Sequence, residues 1–135
     1  MQPHIHLDEG TGIRCAILPG DPARVERIAA YLDDVRDHGS HREYRSISGT
    51  WRGVPVLAMS TGMGGPSAAI AVEELRRIGV ESLIRIGSCG ALQTGIAVGD
   101  LILVQAAVRE EGTSQAYVPA AYPAVSDAAL LALCA

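Results

Sequence analysis

Three apolar, strand-like runs end abruptly in glycine-rich turns: Ile17-Leu18-Pro19-Gly20-Asp21-Pro22-Ala23-Arg24, Met59-Ser60-Thr61-Gly62-Met63-Gly64-Gly65-Pro66-Ser67, and Ile84-Arg85-Ile86-Gly87-Ser88-Cys89-Gly90. In an open α/β sheet, ligands bind outside the carboxyl ends of parallel strands, where backbone N–H groups and helix N-termini converge. Arg24 and Arg85 accompany two of these glycines, and a guanidinium can grip a phosphate with two parallel hydrogen bonds. Together the turns predict one shared anion site.

Each feature has a plainer alternative. Arg24 falls in the first turn of a predicted helix, where the macrodipole disfavours a cation by ~0.3–1 kcal/mol. An anion between Gly20 and Arg24 would remove that conflict; a solvated arginine would simply tolerate it. Arg85 interrupts the apolar run Leu83-Ile84-Arg85-Ile86. Buried there, it must find a carboxylate, a ligand or water, whereas on an edge strand it would point outward. The adjoining Gly87-Ser88 turn favours the ligand. The strand, turn and helix around Gly62 also suggest a dinucleotide fold, but Ser67 stands where G-x-G-x-x-G needs its third glycine, and no acid ends the next strand. Close approach of helix and strand is the stronger alternative for those glycines. His4, His6, His38 and His41 form no metal-ligand pair on a predicted helix, and each alone reads as a surface residue.

The elements that must position these residues follow from local signals. Arg14 to Leu18 reads as a strand stopped by Pro19-Gly20. Asp21 can cap a helix with Pro22 at its first position, and Val25, Ile28, Ala29 and Leu32 form its apolar stripe. Asp33 to Ser40 reads as a polar connection. Tyr44–Trp51 and Val54–Ser60 read as strands of a hairpin turning at Arg52-Gly53. A second helix opens at Pro66, with Ala68, Ala71, Val72, Leu75 and Ile78 inward, Glu73, Glu74, Arg76 and Arg77 on its wet face, and Gly79 as terminator. Ser82–Ile86 and Asp100–Val108 read as further strands, and Tyr117 and Tyr122 as loop anchors. Ser126 looks like the N-cap of an apolar helix over 127–134, which reads as an interrupted element. The alternation predicts an α/β fold with a mixed, mainly parallel twisted sheet flanked by helices, in a single domain over 1–135 that is incomplete at its C-terminus.

Bulk properties agree with an ordered α/β domain. The chain has 135 residues, 48 % of them hydrophobic and 19 % charged, which excludes disorder. Its net charge of −4 gives no electrostatic footprint for nucleic acid. No apolar run approaches the ~18 residues that cross a bilayer, and the first residues lack the pattern of a signal peptide. Three widely spaced cysteines fit neither a disulfide framework nor a zinc site, so a reducing cytoplasm is the expected home. All 11 basic residues are arginine, so arginine abundance itself carries no functional weight.

The same turns, with Ser40-His41-Arg42-Glu43-Tyr44, Ile70-Ala71-Val72-Glu73-Glu74-Leu75 and Arg85-Ile86-Gly87-Ser88-Cys89-Gly90-Ala91, resemble the nucleoside phosphorylases. That family contains uridine phosphorylase, the hexameric purine nucleoside phosphorylases and the methylthioadenosine phosphorylases. The resemblance runs in order from about His4 onward and covers roughly the first half of the family's catalytic domain. It implies a pentosyltransferase in which inorganic phosphate attacks C1′ of a nucleoside, with no organic cofactor. By resemblance, Gly20, Arg24, Arg85, Gly87 and Ser88 bind phosphate, and Ser88 also meets the ribose. Arg42 matches an arginine that a neighbouring subunit contributes, and His4 (or His6) matches a histidine that reaches across to the ribose 5′-hydroxyl. Glu43, Met63 through its backbone, and Ser67 match the ligands of a monovalent cation, K+, at the subunit interface of uridine phosphorylases. A homo-oligomer of dimer units, up to a hexamer, with shared active sites follows from the same resemblance.

Several motifs are closer to uridine phosphorylase, while Ser88-Cys89-Gly90-Ala91 is more like the purine enzymes; uridine is the expected substrate. The resemblance leaves the ribose-binding glutamate and base contacts outside the chain, so alone it is expected to be weakly active or inactive. A non-catalytic phosphate- or nucleoside-binding module is the alternative of another class.

Overall fold

A computed structural model describes residues 1–135, which divide into two compact units, Met1–Ser88 and Cys89–Ala135. In the first, β1 (Cys15–Leu18) leads into α1 (Pro22–Ala29), β2 (Asp33–His41), β3 (Tyr44–Trp51), β4 (Val54–Met59), α2 (Gly65–Arg77) and β5 (Ser82–Arg85). The strands form a mixed sheet in the order β2-β3-β4-β1-β5. β1 lies parallel to both β4 and β5, while β3 runs antiparallel to β2 and β4. No helix is long and apolar enough to cross a membrane.

The local signals explain most of this unit. Asp21 caps α1 by accepting a 2.9 Å hydrogen bond from the Ala23 N–H, and Pro22 opens the helix. Arg52 and Gly53 turn the β3–β4 hairpin with φ of 49° and 80°, the left-handed pair that a two-residue turn requires. Along β4, Leu57 and Met59 face one core cluster and Ala58 the other, as a strand's alternation dictates. The larger cluster joins Ala16 and Leu18 of β1 to Ala71, Leu75 and Ile78 beneath α2, with Ile5 and Leu7 from the N-terminal segment. The smaller one places Val25 and Ala29 of α1 over Ile47 and Ala58.

Three expectations for this unit need correction. Asp33–His41 is a strand rather than a connection: it pairs with β3 through two register shifts as a polar edge, and Arg45 ties it to α1 by bonding both Asp37 and Glu26. Val72 is exposed on α2, whereas Glu74 points into the core and is only 3 % exposed. The histidines are also less superficial than expected, since His4, His38 and His41 are half-buried and hydrogen-bonded.

In the second unit only Ala106–Ala107 (β6) of the expected 100–108 strand is paired, with Ala124–Val125 (β7). A strand needs a hydrogen-bonded neighbour, and the rest of that run finds none in the sheet. Asp127, not Ser126, caps α3 (Ala128–Cys134), accepting from the Leu130 N–H at 2.9 Å. Ser126 instead donates to the Val104 and Gln105 carbonyls. The loop is anchored by Arg109, whose guanidinium reaches Ser114 Oγ and the carbonyls of Val118, Pro119 and Tyr122; the Tyr117 and Tyr122 rings are exposed.

Candidate anion-binding site

The ends of β1, β4 and β5 converge beyond the sheet. The backbone pairing of β1 and β4 continues past both strands, with Thr61 N–H donating to Pro19 C=O and Gly62 N–H to Gly20 C=O, each at 3.0 Å. On its other side β1 meets β5, with Leu18 in register with Arg85. Gly20 therefore sits between the other two glycine turns. A Cβ built on it would lie 3.1 Å from Arg85 Nη2 and 3.2 Å from the Gly62 carbonyl oxygen. A side chain at this position would therefore be tight, and the Arg85 guanidinium or the Gly62 carbonyl would have to give by a few tenths of an ångström.

Arg85 is exposed, yet its guanidinium is fixed. Nη1 donates to the Leu18 carbonyl at 3.1 Å and to the Ile86 carbonyl at 2.6 Å, which leaves Nη2 on the Gly20 side. The sequence offered an outward arginine or a liganded one; here strand-end carbonyls hold the charge beside the turn. Arg24, at the start of α1, donates through Nη2 to Ser88 Oγ at 2.9 Å. A Cβ on Gly87 would lie 3.5 Å from Arg85 Nη1. Gly20, Arg24, Arg85, Gly87 and Ser88 thus form one cluster, built from two guanidinium groups, a hydroxyl and two glycine turns. Such a cluster suits a tetrahedral oxyanion.

The Arg42-Glu43 turn joins β2 to β3, and Arg42 is held at a φ of 55°, a left-handed conformation that costs a non-glycine residue about 1–3 kcal/mol. Ser60 Oγ pins this turn by donating to the Glu43 carbonyl at 2.5 Å while accepting from the Arg45 N–H at 2.8 Å. Gly62, with φ of 66°, lies against Glu43: a Cβ there would be 2.8 Å from Glu43 Cβ. Ser67 Oγ lies 2.7, 3.1 and 3.2 Å from the carbonyl oxygens of Thr61, Met63 and Gly64. One hydroxyl hydrogen serves one of these acceptors, so oxygen acceptors are in surplus. Burial pushes the Tyr44 phenol up to about 12, so it remains a donor, and its O–H holds the Ser67 carbonyl at 2.9 Å.

His4 belongs to a different cluster. Its backbone N–H donates to Glu74 Oε2 at 3.0 Å and the Ile5 N–H to the same oxygen at 2.9 Å, while His4 Nδ1 lies 2.5 Å from Oε1. His41 Nδ1 donates to the His4 carbonyl at 2.8 Å, and the His6 ring stacks on His41 at 3.6 Å. Burial pushes the Glu74 carboxyl up, but the bonds from the His4 ring and the two backbone N–H groups outweigh it and hold the group below its ordinary value. Sequence reasoning missed Glu74, although Ala71, Glu74, Leu75 and Ile78 share the i, i+3, i+4, i+7 spacing of one helix face.

Comparison with known proteins gives these features a common context. Residues 14–135 match the family described as the Phosphorylase superfamily. The chain is 54 % identical over 127 residues to a uridine phosphorylase of Thermococcus kodakarensis, covering 94 % of this chain and 46 % of the relative. It is 49 % identical over 126 residues to a guanosine phosphorylase of Halorubrum lacusprofundi, covering 93 % and 52 %. The crystal structure of uridine phosphorylase from Vibrio fischeri superposes with a TM-score of 0.93 at 46 % identity, over 97 % of this chain and 55 % of the other. The chain spans about half the length of the curated relatives it matches.

Proposed function

Because this chain belongs to the Phosphorylase superfamily, we propose that it forms the phosphate-binding half of a nucleoside phosphorylase, with uridine the favoured substrate. In this reading inorganic phosphate attacks C1′ of the nucleoside. A C1′–O bond forms as the C1′–N bond breaks, and the glycosidic electron pair leaves with the base, whose nitrogen takes up the proton that the phosphate gives up, yielding free base and ribose 1-phosphate. The transition state resembles an oxocarbenium ion, so positioning and charge stabilisation carry the catalysis. Arg24, Arg85, Ser88 and the Gly20 and Gly87 turns hold the phosphate, and Ser88 also meets the ribose. The observation that carries this assignment is the meeting of Arg24 with Ser88 and of Arg85 with Gly20 at the ends of adjacent parallel strands.

The remaining roles extend the same reading. Arg42 serves the phosphate, and His4 the ribose 5′-hydroxyl, of a second copy in a cytoplasmic homo-oligomer. Glu43, the Met63 carbonyl and Ser67 would hold a K+ ion, whose need for oxygen ligands the acceptor surplus around Ser67 fits. A purine nucleoside is the second reading, favoured by the guanosine phosphorylase relative and by Ser88-Cys89-Gly90-Ala91.

Calorimetric titration with inorganic phosphate tests the assignment. Arg85→Ala and Arg24→Ala should each weaken binding about 10- to 100-fold, the worth of charge-assisted hydrogen bonds; unchanged affinity in both would overturn it. Release of uracil or guanine separates the two bases; this half alone should bind phosphate and turn either nucleoside over weakly or not at all, and turnover at rates normal for an enzyme would overturn the half-site reading.

A further inference from the structure

Glu74 lies in the last turn of α2, where the helix macrodipole disfavours a carboxylate, and it is 3 % exposed. Its partners all come from the N-terminal segment: the His4 N–H, the Ile5 N–H and the His4 ring. An ionised carboxylate only accepts hydrogen bonds, so Nδ1 of His4 must carry a proton. We propose that Glu74 is a positioning residue for His4: it locks the ring as the Nδ1–H tautomer and presents Nε2 outward to a sugar hydroxyl. This rests on the reading of His4 given above.

The rest of the segment supports a built device rather than an incidental contact. Ile5 and Leu7 are buried beneath α2, so the backbone is anchored independently of the ring. His41 Nδ1 binds the His4 carbonyl from the other side. His4 is thereby held at its N–H, its C=O and its ring, while its side chain stays 41 % exposed. A carboxylate behind an imidazole fixes which nitrogen faces the ligand, a task two backbone anchors alone would not perform.

The test has two arms. Long-range 1H–15N NMR of the full chain, at a pH where the ring is neutral, should find His4 as the Nδ1–H tautomer. Glu74→Ala should abolish that preference, and Glu74→Gln should invert it as the amide NH2 turns toward Nδ1. An Nε2–H ring in the wild type, or an Nδ1–H ring persisting in Glu74→Ala, overturns the proposal. In the second arm, calorimetry compares ribose 1-phosphate with 5-deoxyribose 1-phosphate. The wild type should prefer the former about tenfold, and Glu74→Ala should lose that preference while keeping its affinity for inorganic phosphate. Phosphate binding without the preference in the wild type also overturns the proposal. Failure to bind phosphate at all would instead strike the functional reading, and the tautomer would still decide the role of Glu74.

Discussion

On one face of the five-stranded sheet, Ala16, Leu18, Leu57 and Met59 lie under α2, and Ile5, Leu7 and Tyr44 complete the packing. On the other, α1 packs against β3 and β4 and leaves the outward residues of β1 and β5 without a helix of this unit. Cys15, Ile17, Ile84 and Ile86 there line an open groove of about 930 Å³ with Trp51 and Val54. The first face is closed by the chain's own residues, including a buried carboxylate with all its partners. The second is apolar yet open. Hydrophobicity in the sequence therefore marks both faces alike, and only the path of α1 across the sheet separates core from groove.

Substitutions should expose that contrast. The largest effect is expected from Leu75→Ala on the closed face, which should lower stability by about 2–5 kcal/mol in chemical denaturation. Val54→Ser on the groove side, at a position 56 % exposed, should stay within about 0.5 kcal/mol; equal losses would erase the distinction. At the shared end of the sheet, Gly62→Ala must adopt a positive φ and crowd Glu43, for a loss of about 1–3 kcal/mol.

A pH series sharpens the comparison. The Glu74 carboxyl is held below its usual 4.5, so it contributes stability that is fully present above that value and is lost as pH falls through the folded one. Acid denaturation of Glu74→Gln should lack this portion of the pH dependence, and an identical acid limb would contradict it. The smallest effect is spectroscopic. Trp51, the chain's single tryptophan, lines the groove, so an apolar dye should quench its fluorescence, and Leu75→Ala should not be needed for that quenching.

Elements carried by short-range chemistry were readable before any coordinates. Asp21-Pro22 marked the start of α1, Arg52-Gly53 marked the hairpin, and the glycine turns marked the site end of the sheet. β2 was not readable, because Asp33–His41 is polar, bulged and edge-placed, and shows no alternation for a core to impose. The run from Asp100 misled in the opposite way, since apolar residues suit a strand but cannot supply its neighbour. At the site, Arg24 and Arg85 stood out because each conflicts with its local setting. Arg42 and His4 conflict with nothing local and came only from family likeness. Glu74 was hidden among Glu73, Arg76 and Arg77, where composition suggested water and periodicity, followed strictly, pointed inward.

The two carbonyls that hold Arg85 Nη1 bear on when its order is acquired. An arginine side chain carries about 2 kcal/mol of rotamer entropy, and here much of that freedom is surrendered during folding rather than at ligand capture. In the proposed reading, an anion arriving at Gly20 would meet a charge already aimed, so association should proceed with little rearrangement of this residue.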